Sequence, residues 1–536
     1  LTLRSSGLKV QFRLRQYTAG FHIINLILHI LAALLFYAVT AALFKKDRLA
    51  FVSALIFALH PVAGETVNFL AGGRNTLLSA CFALLSLLFY INKKPVPALA
   101  SFTLAIFSKE FALLLPVIFV LYDYRLQREK IRFSGYFFYL VPIACYLALR
   151  SLAVRKANFL TDINISDIAT APCLVVKYAL NMIAPLQLKV LYDVRLSMLA
   201  GILCLVVVGA MMVAIYIFRK QDELLLSSCW FFLFLLPVIN IIPLHTTTVM
   251  ADRYAYFSLM GFALFLATLI CKWTGRTVSA GVVILCVVYS TISFSRNSIW
   301  KNDIEFFTRM TKDAPEKFAG FKNLGMEYYR KGEIARALDI LEIADSKPDI
   351  TIKYLIGDAY TFWKENMPDR AEKALFKVME LDPLNLEPYL VLMMMHGQAG
   401  NTVTAQSYRD KVKALGHGID EVMADRIVEL CRAGEAYMSK RQYADAGIYL
   451  WQALQINPAY IPALVDMGSL SAGQGKLATA IQYFSKALAL EPSNASAHYN
   501  LAMVYQMQGR TVEAEQEMGK FRKAAASAEQ DGNAFR

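Results

Sequence analysis

From Phe21 to about Ser295 the chain repeats one arrangement, long apolar stretches broken by short polar loops. Beyond that point apolar residues return every three or four positions, as in amphipathic helices packed in water. A membrane crossing needs roughly 20 apolar residues, fewer where neighbouring protein shields the helix. Ten runs read as spans: 21–43, 49–60, 77–91, 97–107, 111–123, 134–150, 197–218, 224–243, 254–272 and 277–295. A weaker run, 172–190, is interrupted by Lys177, Asn181, Pro185 and Lys189. It reads as an interfacial or re-entrant helix.

The stretch from 97 to 123 decides the orientation. Read as one helix, it would hold Ser108, Lys109 and Glu110 at the bilayer centre. Two charges there would cost several kcal/mol. Two short helices with these residues at the tip avoid that cost. The basic loops 45–48, 92–94, 125–132, 219–223 and 272–276 then share one side, as the positive-inside rule prefers. Arg150, Arg155 and Lys156 fall on the other side, in a longer loop. With ten spans both chain ends face outward, so the second half of the chain is expected on the exoplasmic side.

Composition sharpens this. The chain is 57% hydrophobic and 18% charged, and the charge is concentrated in loops and in the second half. Its net charge of +13 points to lipid headgroups and topology before nucleic acid. Seven of eight cysteines lie in the apolar half and none forms a CxxC pair, so neither a disulfide frame nor a metal site is indicated. The chain opens on Leu1 with sequence that reads as mid-loop, without a visible signal peptide. An N-terminally truncated form of a longer protein is expected.

The second half repeats. Pro458 and Pro492 are 34 residues apart, the tetratricopeptide period, with Gly468, Ala480, Phe484 and Ala487 between them in that unit's order. The same frame covers Gly434, Tyr437, Ala446 and Ala453 one unit earlier, and Leu501, Tyr505 and Ala514 one unit later. Upstream lie Leu324, Gly325, Tyr328 and Ala337, then a unit ending at Pro383, then a degenerate one over 386–419. About six units are expected. Each is a helix pair that buries its apolar face only by stacking on neighbours, and such stacks present a concave groove for peptides. The alternative is a spacer or dimer surface. The fold class is therefore all-α: a multi-span membrane domain over 1–295, an amphipathic linker helix over 296–317, a tetratricopeptide α-solenoid over 318–528 and a tail over 529–536. In the linker, Trp300, Ile304 and Phe307 share one face.

Four loops carry ionisable groups to the side opposite the basic loops: His60, Glu65 and Arg74; Lys109 and Glu110; Tyr192 and Asp193; and His245, Asp252, Arg253 and Tyr254. Ionisable residues near membrane depth mark function by default. The bland alternative is that Glu110 and Asp252 pair with nearby cations and only hold loops together. His22 and His29, seven residues apart on one helix face, read as packed side chains and not as metal ligands.

The ordered set "GFHIINLILH", "ALHPVAGETVNFLAGGRNTLL", "FSKEFALLLPVIFVLYDY", "ADRYAYFSLMG" and "RNSIWKNDIEFF", running into the repeats, resembles the transmembrane-and-tetratricopeptide-repeat O-mannosyltransferase family and its bacterial relatives. The resemblance covers nearly the whole chain. It implies a GT-C-type glycosyltransferase that moves a sugar from a polyprenyl or dolichyl phosphate to Ser or Thr of a protein at the exoplasmic face. Under that reading Arg74, Lys109 and Arg253 are candidates for the donor phosphate, Arg being suited to bidentate contact. Glu65, Glu110 and His60 are candidates for catalytic work on the acceptor hydroxyl. The repeats would hold the acceptor. The resemblance also implies a main catalytic acid in the first exoplasmic loop, yet residues 1–20 contain no Asp or Glu, so that motif is expected upstream of Leu1.

Two other functions compete. One is a non-catalytic scaffold whose membrane half anchors the repeats. The other is a polysaccharide ligase or polymerase. Compact loops and few repeats favour a bacterial plasma membrane over the endoplasmic reticulum. The sugar, the carrier lipid and any need for a divalent metal are not legible.

Overall fold

A computed structural model of the chain describes residues 6–69, 72–128, 133–153, 165–194, 198–239, 248–273, 275–415 and 419–533. His245, Arg155 and Lys156 lie outside them. Among the described residues the fold is all-α, without a strand. It divides into two compact units, one of them Phe12–Pro315 and the other containing everything from Glu316 onward.

The first unit holds α1 (Ser6–Phe44) from Phe12 onward, α2 (Asp47–Leu59), α3 (Ala63–Asn68), α4 (Gly73–Ile91), α5 (Pro95–Ser108), α6 (Leu115–Tyr122), α7 (Phe133–Ala153), α8 (Ile165–Ile183), α9 (Met198–Ile217), α10 (Asp222–Leu235), α11 (Tyr256–Cys271), α12 (Arg276–Asn297) and α13 (Asp303–Asp313). Among the described residues, six of its helical stretches are long and apolar enough to cross a membrane: Gly20–Phe44, Gly73–Ile91, Gly135–Leu152, Met198–Ile217, Asp252–Cys271 and Arg276–Trp300. The remaining apolar runs form shorter helices. Lys109 breaks the 97–123 stretch in extended backbone between α5 and a 3-10 turn at Glu110–Leu114. An intact helix satisfies its own backbone polar groups, which hydrocarbon demands. Residues such as Leu199, Val206 and Ile217 on α9 are more than half exposed, an apolar belt of the kind that lipid covers.

The centre of this unit is aromatic. Phe57 lies 5.5 Å from Phe36 and 5.2 Å from Tyr256, and Phe36 meets Trp230 at 6.4 Å, joining α1, α2, α10 and α11. His29 sits in this core, with its ring nitrogens 2.7 Å from the Tyr256 hydroxyl and 3.0 Å from the Ala58 carbonyl. Gly261 lets α11 touch α10, because a Cβ there would lie 2.5 Å from the Phe231 nitrogen. Small residues at such crossings are how apolar helices associate without a hydrophobic drive between them.

The second unit is six antiparallel helix pairs: α14 (Phe318–Arg330) with α15 (Ile334–Asp345), α16 (Ile352–Lys364) with α17 (Pro368–Leu381), α18 (Leu386–Gln398) with α19 (Thr402–Ala414), α20 (Ile419–Ser439) with α21 (Tyr443–Ile456), α22 (Ile461–Gly473) with α23 (Leu477–Leu490), and α24 (Ala495–Met507) with α25 (Thr511–Asn533). In three pairs a glycine on the first helix admits a bulky side chain of the second. A Cβ on Gly325, Gly434 or Gly468 would stand 2.8, 2.7 or 2.5 Å from Leu341, Leu450 or Phe484.

A buried polar cluster ties the first two pairs. Lys322 on α14 pairs with the fully buried Asp358 on α16, and Asp345, which ends α15, lies beside Asp358. Burial, and next the Asp358 carboxylate, push the Asp345 carboxyl up to about 9. At neutral pH Asp345 therefore holds its proton, because two like charges in one dry site cannot both ionise.

Candidate functional site

The stretch that follows α2 turns back on itself immediately. Val62 N–H donates to His60 Nδ1 at 3.2 Å, which leaves Nε2–H to donate to the Met182 carbonyl at 2.8 Å. The ring stacks edge-on against Tyr289 at 4.6 Å and is almost completely buried. Both nitrogens of His60 are thus committed to main chain. The sequence reading offers His60 as a catalytic candidate, but the structure makes it a neutral tether between the 60–62 turn and the end of α8.

The short helix α3 then presents Glu65 inward. Its Oε1 pairs with the Arg253 guanidinium, and its Oε2 accepts the Arg253 backbone N–H at 3.1 Å. Glu65 is 4% exposed. The guanidinium lies 4.8 Å over both the Phe69 and the Tyr254 rings, an arrangement that holds a cation in a fixed plane. A candidate base and a candidate phosphate ligand are therefore partners.

Next to Arg253, Asp252 is held by three groups. Tyr192 O–H donates to Oδ1 at 2.7 Å, Asn181 Nδ2 approaches the same oxygen at 3.4 Å, and Arg296 Nη2 reaches Oδ2 at 3.2 Å. Arg296 also donates through Nη1 to the Pro61 carbonyl at 3.3 Å. One arginine at the end of α12 thus links the 60–62 turn to the 248–255 loop. Tyr192 additionally accepts the Lys189 backbone N–H at 3.1 Å. Burial and the adjacent Asp252 carboxylate raise the Tyr192 phenol well above its ordinary value, so it stays a donor. The sequence reading missed Arg296. Its signal was an arginine closing an apolar run on the same side as the other ionisable loops.

Arg74 stands apart. It opens α4, whose first residue Gly73 packs so tightly on α3 that a Cβ would lie 1.9 Å from the Thr66 carbonyl oxygen. Gly73 N–H donates to the Phe69 carbonyl at 2.9 Å, so the start of α4 is anchored to the residue beneath Arg253. The Arg74 guanidinium lies 4.4 Å over the Phe21 ring. Among the described residues it has no carboxylate partner, and its Nε is buried without a hydrogen bond.

Lys109 and Glu110 form a second group. They pair with each other at 3.2 Å, and Arg150 meets Glu110 at 3.6 Å. Each of these side chains keeps between a fifth and a third of its surface open. Phe111, next in the chain, packs 6.0 Å from Phe257, so this group adjoins the 252–257 segment through an aromatic contact. Among the described residues no trio of His, Cys, Asp or Glu is grouped closely enough to hold a metal ion.

Beside the His60 tether an apolar groove of about 550 Å³ runs between α8, α9, α10, α11 and α12. Ile183, Met211, Phe218, Phe231, Leu266 and Tyr289 line it. Its size falls in the usual range for a small-molecule site, roughly 300–1,000 Å³. The same Tyr289 that stacks on His60 forms part of the groove wall.

Comparison with known proteins agrees with this architecture. A tetratricopeptide-repeat profile matches residues 468–509. A protein O-mannosyl-transferase of Caenorhabditis elegans, F38B6.6, is 24% identical over 58% of this chain and 48% of its own length. The human protein O-mannosyl-transferase TMTC3 is 22% identical over 91% of this chain and 56% of its own length. The mouse protein O-mannosyl-transferase TMTC1 is 41% identical over a shorter stretch, 14% of this chain and 9% of its own. The chain is a relative of these proteins and spans about half the length of the first two. Among solved structures, the crystal structure of YrrB aligns with 41% of this chain and 93% of its own at 18% identity, with a TM-score of 0.19.

Proposed function

We propose that the chain is the core of a GT-C-type membrane glycosyltransferase. It moves a mannose-like hexose from a polyprenyl phosphate to Ser or Thr hydroxyls of proteins at the exoplasmic face, and the repeats hold the acceptor. The observation that carries this reading is the contact between the groove wall and the polar stretch after α2, where Tyr289 meets His60 at 4.6 Å. The apolar groove shared by five helices offers room for a hydrocarbon tail, and Arg253 and Arg296, paired to Glu65 and to the Pro61 carbonyl, bring cations to the 60–74 stretch for a phosphate. The names of the relatives, protein O-mannosyl-transferases, support the mannosyl transfer to protein.

In this reaction the acceptor oxygen attacks the anomeric carbon, the bond from that carbon to phosphate oxygen breaks, and polyprenyl phosphate leaves with an added negative charge. Arg74 is the cation best placed to meet that charge, since among the described residues no carboxylate neutralises it. Arg253, locked in plane by Glu65 and two rings, supplies a second fixed positive group, and Lys109 a third. Preorganised cations in a water-poor site cost no reorganisation when charge develops. Glu110, the most accessible of the candidate carboxylates, takes the hydroxyl proton. Glu65 acts through Arg253 and does not itself touch the acceptor.

The test is glycopeptide mass spectrometry of exported proteins in cells carrying wild-type or Arg74→Ala protein at equal levels. Loss of hexose from Ser and Thr peptides supports the reading. Unchanged glycopeptides alongside altered surface glycan would move the acceptor to polysaccharide. The scaffold reading draws on the mutual pairing of Glu65 with Arg253 and of Asp252 with Arg296. It requires that an unrelated single span replace the membrane half without loss of function.

A further inference from the structure

In an open solenoid each pair touches only its neighbours. The fourth pair here breaks that rule. Arg330, the last residue of α14, reaches Asp445 on α21 at 2.9 Å across 115 residues of sequence. Trp363 at the end of α16 packs edge-on against Trp451 at 5.0 Å. Gln398 at the end of α18 donates to Gln455 at 2.6 Å. Ile448 belongs to the same buried cluster as Met326 and Tyr360 of the first two pairs. One face of α21 therefore runs across the C-terminal ends of α14, α16 and α18. Its opposite face, Ala446, Leu450 and Ala453, is fully buried against α20.

We propose that the surface made by the first helices of the first three pairs is a receptor for an amphipathic helix, occupied in the resting chain by α21. The displacing partner is a polypeptide helix with an acidic residue, an aliphatic residue and a tryptophan on one face, at the spacing of Asp445, Ile448 and Trp451. This is the helix-in-groove mode, read as anchors three to four residues apart.

The two faces of α21 differ in kind. The face on α20 is apolar and closed, and Gly434 lets Leu450 seat there. The face on the first three pairs is held by one ion pair, one exposed amide pair, the edge of an indole and a single buried aliphatic side chain, Ile448. Arg330 keeps 37% of its side chain open. Surface pairs of this kind contribute little. Such a contact exchanges more readily than the α20 face.

A fluorescein-labelled, helix-stapled peptide of residues 441–457 tests this by anisotropy on the full chain in detergent, with circular dichroism of every variant. The wild type should bind weakly, since its own helix competes. Asp445→Lys, which sets a cation against Arg330 without touching the core, should bind the peptide about tenfold more tightly. Adding Trp363→Ala should remove that binding. Equal binding by all three proteins, or none by folded Asp445→Lys, overturns the proposal. A concentration-dependent dimer of Asp445→Lys that excludes the peptide would also overturn it, because a second copy would then be the occupant. No part of this test requires glycosyl transfer.

Discussion

The two ends of the membrane bundle use the same side chains for opposite purposes. At the end with the basic loops, Lys46 pairs with Glu223 at 2.5 Å and Arg125 with Asp222 at 2.7 Å, with the basic partners 61% and 29% exposed. At the other end Glu65 and Asp252 are 4% and 1% exposed and face arginines 17% and 15% exposed. Exposed pairs contribute about 0–1 kcal/mol, because water already solvates both charges. Buried pairs are weak evidence for stability, yet removing one member strands the other without water. The first end is therefore fastened loosely and the second is held rigidly.

Arg296→Ala should break this contrast most visibly. It strands Asp252, and a loss of about 3–5 kcal/mol is expected in unfolding measured in detergent. Arg74→Ala sits at the same end but breaks no ion pair among the described residues. Transfer should fall about 100-fold or more, while the melting temperature holds within a degree or two. Should its melting temperature fall as far as that of Arg296→Ala, Arg74 is a strut and not a phosphate ligand.

A smaller effect tests the same logic in the repeats. Asp345 has a folded value near 9 against an ordinary 3.8, so the folded chain retains a proton that the unfolded chain releases. Its contribution to stability is fully present below about pH 4 and is lost as pH rises toward 9. Asp345→Asn, which cannot ionise, should flatten that decline. At pH 8 it should raise the melting temperature of the repeats by roughly 2–4 °C for each kcal/mol recovered. A decline as steep as that of wild type would assign the pH dependence to another group. Smallest of all, Lys46→Ala should change stability by less than about 1 kcal/mol.

Much of this was legible in the residues, and the limits have physical causes. Apolar runs and the 34-residue proline spacing are local signals, and they identify an all-α chain with tetratricopeptide pairs. The cost of burying Lys109 and Glu110 correctly broke the 97–123 stretch into two helices. The ionisable loops stood out because charges beside apolar runs are rare. Their partners did not stand out. Glu65 meets Arg253 across 188 residues, and Arg296, read as the first residue of the amphipathic linker, meets Asp252 from the end of α12. Nothing periodic records such pairings, which depend on how helices pack. The return of α21 onto the first three pairs was hidden for a related reason, since a repeat pattern describes each unit and its neighbours and is silent on longer returns.

The three glycine contacts in the repeats have an evolutionary consequence. Gly325 with Leu341, Gly434 with Leu450 and Gly468 with Phe484 are each sixteen positions apart. A larger residue at the glycine must be met by a shift or a smaller side chain at its partner, so the two should drift together as one inherited character. A duplicated pair would carry this coupling with it, and its loss elsewhere in the array would date the units that have since been freed for other contacts.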